Sequence, residues 1–416
     1  MSVIYDYQGN SIIIDAIEPG EKDIPIVTIT GELYSSKSQG ESNVVITYKS
    51  ATKTFTDYAT AKVQGDSSQA YPKKNYTLKL FSDSARTKKS KRLFRNWDKA
   101  RNKFVIKANW IDHSHARNVV NARLWAQVVK SRSDYESLPS QLRGGNLAVD
   151  GFPVKVYNNG VYLGLYTWNL PKDAMYGLDS DLDENAIVQS DGSNTDGLSM
   201  YFKASTIGGK WSDEFHDEMP SVIETGWTNV LAFVNESTDA NFKSNMATYL
   251  DLQSLIDVHI FLQVCYLRDC IAKNQTFFTY NATKYYHGMY DMDGAWGLRA
   301  INVDQGWLPD DAVFQNDYAG YNYSSNRLHD RLTSLYLPEI TARYNELRST
   351  VLSKDNICSE FDKFTNAIPP YLYEEDYAET TGGGAFTGIP LVSTNNILQI
   401  RDYVVKRLAY VDENLK

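Results

Sequence analysis

The chain has 416 residues, with 42 basic and 51 acidic side chains and a formal charge of −9. At 42% hydrophobic and 22% charged, it is excluded from the intrinsically disordered class, and no apolar run approaches the ~20 residues a membrane span requires. Three cysteines without a C-x-x-C pair exclude a disulfide framework, so Cys265, Cys270 and Cys358 are expected to be reduced and buried.

The first ten residues lack a basic start followed by an apolar run, so no secretory signal is expected. Residues 24–31, 44–48, 76–81 and 104–108 are short β-branched or aromatic runs bounded by turn residues, and each predicts a strand. Asn158-Asn159-Gly160 between two such runs predicts a tight hairpin over 154–166, because Asn-Gly tolerates positive φ. Residues 115–130 predict a helix, apolar at Val119, Ala122, Leu124, Trp125 and Val128. Beyond about residue 220 the pattern turns helical. Asp251 caps a helix expected to run to about Leu267, apolar on nearly all sides and hence central to a lobe. Further helices are predicted over 337–352 and 394–414, and an irregular loop over 374–390. Strands first and helices later indicate an α+β, two-lobed architecture. Its parts are an arm over 1–20, a β-rich region over 21–175 and a mainly helical region over 176–416.

Charge is unevenly placed. Residues 86–107 hold ten Lys/Arg against one acid, for +9, while the remainder carries −18. Such a segment suits an acidic or phosphorylated partner, and the acidity of the whole molecule disfavours nucleic acid.

The end of the helix from Asp251 carries the chemistry. Arg268-Asp269 followed by Asn274 has the spacing of a protein-kinase catalytic loop, where Asp orients the attacking hydroxyl and Asn binds magnesium. A predicted hairpin over 276–290 then leads to Asp291-Met292-Asp293. Asn274, Asp291 and Asp293 offer the oxygen ligands magnesium prefers.

These blocks resemble the spore coat protein H (CotH)-type atypical kinases. The resemblance is carried by Val63-Gln-Gly-Asp-Ser-Ser68 with Pro72-Lys-Lys-Asn-Tyr-Thr-Leu-Lys79, by Ala108-Asn-Trp-Ile-Asp112 with Ser114-His-Ala-Arg-Asn118, by Asn159-Gly-Val-Tyr-Leu-Gly-Leu-Tyr166, and by Tyr290-Asp-Met-Asp-Gly-Ala-Trp-Gly297. It implies a two-lobed protein-kinase-like fold, ATP with Mg2+ or Mn2+, and protein Ser/Thr as acceptor. By position, Asp269 is then the catalytic aspartate, and Asn274, Asp291 and Asp293 form the metal site. Gly65 and Ser67 belong to a phosphate-covering turn. Lys79 is the first choice for the phosphate lysine, since strand alternation sets it opposite Leu78 and Leu80, and Lys74 is the second. Three departures stand out: Gln64 replaces the family's Arg, Asn169 stands where many relatives have Glu, and the 115–130 helix has no acid to pair a lysine.

Other constellations carry less. Asp112-His-Ser-His115 has its histidines only two apart and suits a structural role. Motifs of zincins, α/β-hydrolases and P-loop enzymes are absent from the sequence. The competing expectation is a kinase-shaped structural component of a phage tail, baseplate or spore coat, touching neighbouring particle proteins. Ile4-Tyr-Asp-Tyr-Gln-Gly-Asn10 resembles the arms of phage tail-associated proteins. Either way the protein is expected in the cytoplasm of the producing cell or assembled into a virion or coat, and not in a membrane.

Overall fold

The computed structural model describes residues 24–65, 67–190, 211–271, 274–298, 307–314, 326–379 and 393–415, with the backbone of 2–5 and 11–14. Near the start, β1 (Ser2–Tyr5) and β2 (Ser11–Ile14) form an antiparallel pair. Alternation then governs β3 (Ile26–Thr30), β4 (Glu41–Lys49), β5 (Thr54–Gln64) and β6 (Asn75–Phe81), in which every second side chain is buried. With β7 (Lys103–Lys107) and the hairpin β8 (Gly151–Asn158) and β9 (Val161–Asn169), they close a barrel in the order β3-β4-β5-β6-β7-β9-β8.

The closed barrel corrects the expected kinase-type N-lobe. The mixed α+β composition stands, with strands first and helices later, but the sheet has no open edge. Its seam is the parallel pairing of β3 with β8, Ile26 opposite Lys155 through Ile29 opposite Asn158. Asn159, at φ 50° in the hairpin turn, ties that seam: its amide exchanges hydrogen bonds of 2.9 and 3.0 Å with the Gly31 backbone. Inside the barrel, Tyr48, Phe104 and Trp168 surround Phe94, which enters from the long excursion between β6 and β7. The longest strand, β5, was not expected. Its inward positions include Ala59, Ala61 and the buried Asp57, so its apolar alternation is faint.

Among the described residues the second core gathers α1 (Arg117–Lys130), the short α2 (Ser140–Arg143), α3 (Ser221–Glu236), α4 (Asp239–Tyr249), α5 (Leu252–Cys265), α6 (Arg327–Ser349), α7 (Lys354–Thr365), α8 (Pro370–Glu379) and α9 (Ser393–Asn414). A small sheet of order β11-β10-β12-β13 joins them, built from β10 (Ala186–Ser190), β11 (Trp211–Asp213), β12 (Gln275–Thr279) and β13 (Tyr286–Met289). Helix α1 lies in sequence among the barrel strands but packs in this second core, Trp125 meeting Phe261 of α5 edge to face at 5.5 Å. α5 is buried on nearly all sides, and the Asp251 carboxylate accepts the Ser254 N–H at 2.9 Å as its cap.

Two helix boundaries differ from expectation. α6 starts at Arg327, ten residues before the predicted 337, and kinks at Tyr336 (φ −132°) just ahead of Pro338. α8 carries helix through Glu379 in the stretch expected to be irregular, and 380–392 lies outside the described residues. All three cysteines are free thiols and buried. Among the described residues no helix is long and apolar enough to cross a membrane.

Candidate active site

Two chain segments meet beyond the C-terminal end of α5. Tyr266 ends that helix in the left-handed region (φ 56°), which turns the chain into a short 3-10 helix, Arg268–Cys270, carrying Asp269. Asn274, itself at φ 60°, donates from Nδ2 to Asp269 Oδ2 at 2.9 Å. Strands β12 and β13 then run out and back, and Asp291, at φ 55°, begins the turn that follows. Asn and Asp are the non-glycine residues that tolerate this backbone best. A Cβ on Gly294 would stand 4.0 Å from the Asp269 Cβ, so the second turn lies against the first. Asp293, half-buried, has its carboxyl pushed up to about 7, first by burial and then by the negative Asp291 and Asp269. Asp269, Asn274, Asp291 and Asp293 are therefore brought together.

Helix α1 and the residues before it hold the second turn. Asn118 Oδ1 accepts from Met292 N at 3.2 Å, and Asn121 Nδ2 donates to Met292 O at 2.8 Å. Asn121 Oδ1 accepts from Trp296 Nε1 at 2.8 Å, and Arg117 Nε donates to Ala295 O at 3.0 Å. Arg117 is fully buried and paired with Asp112 at 2.6 Å, and Asp112 also accepts from Ser114 Oγ at 2.6 Å. The Asp-x-Ser-x-x-Arg-Asn block is thus a buried polar frame for the Asp291–Asp293 turn, and Asp112 is committed to that frame.

The lysine that reaches the carboxylates is Lys107, the last residue of β7, with Nζ 2.6 Å from Asp291 Oδ1. Burial opposes its charge, but Asp291, Tyr290 and Asp293 outweigh that and raise its pKa. Sequence reasoning passed over it. The signal available was a lysine ending an otherwise apolar strand, Phe104-Val-Ile-Lys107, whose residues are nearly all buried.

The lysines that were expected there are placed elsewhere. Lys79 lies on the outer face of the barrel, 44% exposed, with Nζ 2.9 Å from Glu41 Oε1. Lys74 turns back on its own loop, donating to the Gln69 carbonyl at 2.7 Å and to that of Tyr71. It braces the β5–β6 turn, where Gly65 has φ 104° and a Cβ would collide with Ser68 Oγ. Ser67 begins the 3-10 turn Ser67–Ala70 that follows. Tyr71, just after it, stacks on Trp110 and joins a small cluster with Leu298, so this turn leans toward the loop that carries Asp291.

A second polar cluster lies beside the first. Lys73 Nζ is 2.6 Å from Asp376 Oδ1 on α8 and 2.6 Å from the Leu165 carbonyl. His115 Nε2 lies 3.0 Å from the other Asp376 oxygen. Burial alone would raise the Asp376 pKa, but Lys73 and His115 hold it well below the usual carboxylate range. His115 is thereby a partner of a carboxylate, in keeping with the structural role expected for the Asp112–His115 stretch. Asn169, at the end of β9, is fully buried with neither amide atom hydrogen-bonded.

Among the described residues, no three His, Cys, Asp or Glu side chains stand close enough to share a metal ion. The donor set here is smaller: Asn274 and Asp291, with Asp293 adjacent. It suits a magnesium ion that completes its shell with phosphate and water. Asp291 and Asp293 act on the Lys107 ammonium and Asp269 adds its negative field at Asp293, a local excess of negative charge that a divalent cation would relieve. A family model described as CotH kinase protein matches residues 61–411. No curated protein matches the chain.

Proposed function

The chain belongs to the CotH kinase family, and from that premise we propose that it is an atypical kinase transferring the γ-phosphate of ATP to hydroxyl groups of a protein. One observation carries this: Asp269, Asn274, Asp291 and Lys107, drawn from three separate stretches of chain, converge at one place. The order of parts supports it. A glycine-containing turn between β5 and β6 is followed by a strand ending in lysine, a helix, a hairpin, the Asp/Asn loop, another hairpin and the second aspartate, which is the serial order of a protein kinase.

Each residue has a role within this proposal. Asp269, oriented by Asn274, aligns the acceptor hydroxyl and takes its proton. Lys107 exchanges part of its hold on Asp291 for the transferring phosphate. Gly65 and Ser67 border the triphosphate from the barrel side. A magnesium or manganese ion on Asn274 and Asp291 would neutralise developing phosphate charge. Catalysis by such parts is positioning plus electrostatics.

The test is incorporation of labelled phosphate from ATP with Mg2+ or Mn2+ into an added protein mixture or the chain itself. Asp269→Ala, Asp291→Ala and Lys107→Ala are each expected to lose about 100-fold or more, while Lys79→Ala stays near wild type. Equal incorporation in all of them removes the assignment.

A kinase-shaped structural component of a phage tail or spore coat is the second reading. What favours it is that α1 offers no acid to Lys107, which pairs instead with the aspartate meant for metal. Thermal stabilisation by ATP with magnesium separates the two, since only a nucleotide-binding chain gains stability from the ligand.

A further inference from the structure

Six of the ten cations in residues 86–107 have partners within the protein. Arg86 donates to the Ala59 and Val44 carbonyls at 3.0 and 3.2 Å. Arg92 grips the buried Asp57 through two bonds of 2.8 and 2.6 Å, and Arg101 binds Asp98 at 2.8 Å. Lys103 pairs with Asp173 at 2.7 Å and Lys107 with Asp291 at 2.6 Å. Arg95 lies over the Phe152 ring, 5.7 Å from its centroid, and the other four, Lys88, Lys89, Lys91 and Lys99, are exposed. Leu93, 45% exposed, lies among them.

This excursion is built rather than loose. Phe94 and Trp97 are buried in the barrel core, and Trp97 Nε1 donates to Asp150 at 2.9 Å. Backbone bridges join Phe81 to Lys89 and Arg92 to Arg101. Lys53 adds to the positive field from the neighbouring β4–β5 turn: it donates to the Leu93 carbonyl, and its pKa is lowered by burial and by the adjacent Arg92. Nearby acids are already engaged, Asp83 by the Thr87 and Lys88 backbone and Asp98 by Arg101 and Asn146.

We propose that this platform is a docking surface for an acidic polypeptide, rich in Glu, Asp or phosphoserine, held apart from the chemistry. Four lysines carried on a held backbone present their charge without the segment first being ordered, which spares binding part of its usual entropic cost. They stand out in a chain whose remaining residues carry −18, so attraction is confined to this face. That confinement favours a peptide over an extended nucleic acid, whose backbone would run on into repulsive surface. Leu93 adds an apolar contact that a peptide side chain can meet. The platform ends at β7, whose length puts it roughly 15 Å from Lys107, so a docked polypeptide leaves the carboxylate cluster accessible.

The experiment is anisotropy of a fluorescein-labelled peptide rich in phosphoserine and glutamate, titrated with the full chain. The combined variant Lys88→Glu, Lys89→Glu, Lys91→Glu, Lys99→Glu is expected to bind at least tenfold more weakly, and wild-type affinity to fall as salt rises. Lys62→Glu with Lys130→Glu, exposed cations elsewhere, should bind as wild type. Asp269→Ala should also bind as wild type, so that failure of docking and failure of phosphotransfer are read separately. The altered lysines are exposed, so their loss leaves both cores intact. Unchanged binding in the four-lysine variant overturns the proposal. So does a single-stranded oligonucleotide that displaces the peptide and binds more tightly at equal charge.

Discussion

At the residue scale, the sharpest dependence is between Lys73 and Asp376. They lie 303 positions apart, and their side chains are 6% and 4% exposed. Removing one member strands a buried charge, so Asp376→Ala is expected to lower the unfolding free energy by about 3–5 kcal/mol in a denaturant titration. Lys73→Met with Asp376→Leu should recover most of that, because apolar replacement of both partners removes the desolvation penalty along with the attraction. A double variant as unstable as the single one would show that His115 and the Leu165 N–H, not Lys73, make Asp376 indispensable. This pair was illegible in the sequence: Lys73 shares its motif with Lys74, and Asp376 lay in a stretch expected to be irregular. Lys107 was nearly legible, a charge at the end of an apolar strand. Lys79 drew attention because alternation identifies a face and not the neighbour that face meets.

At the element scale, α1 is the device that aims the second turn. Asn121→Ala would orphan the Met292 carbonyl and the Trp296 indole N–H, both in buried surroundings. The expected loss is about 2–4 kcal/mol of stability, with a fall in phosphotransfer measured well below the melting temperature. Retained activity there would mean the Asp291 turn is held by β13 and Arg117 without Asn121. Elements with clean periodicity were legible: the hairpin at Asn159-Gly160, α1 and the buried α5. β5 was hidden by its small and acidic inward residues, and the first half of α6 by Pro338. The Asp269/Asn274 spacing pointed to a site because a loop of that length keeps its two members adjacent. The barrel frame around them depended on pairings over more than a hundred residues, which no local pattern expresses.

At the scale of the whole molecule, buried imidazoles set an acid limit. Burial lowers His113, His259 and His287 to about 4 and takes His329 further down, the last three clustering in the helical core. Unfolded histidine titrates near 6.5, so between that value and 4 the unfolded chain binds more protons and stability falls with pH. Asp257 and Asp293, raised to about 6 and 7 first by burial, act oppositely: their folded forms take up protons in this window. From pH 7 to 5.5 each imidazole loses roughly 1 kcal/mol and the two carboxyls return about half of the total, for a net loss on the order of 2 kcal/mol. Denaturant midpoints at the two pH values test this, and an equal or higher midpoint at pH 5.5 would contradict buried neutral histidines.

The parallel seam of the barrel has a consequence for a chain still being made. When only the first 150 residues have emerged from the ribosome, β3 to β7 can zip as neighbouring hairpins, yet β3 has one side bare until β8 arrives. Joining ends so distant along the polymer is entropically slow. For that interval the nascent sheet presents the kind of unpaired border that recruits strands from other molecules, so truncation just before Gly151 should yield a sticky product, whereas translation past Asn169 supplies the plug.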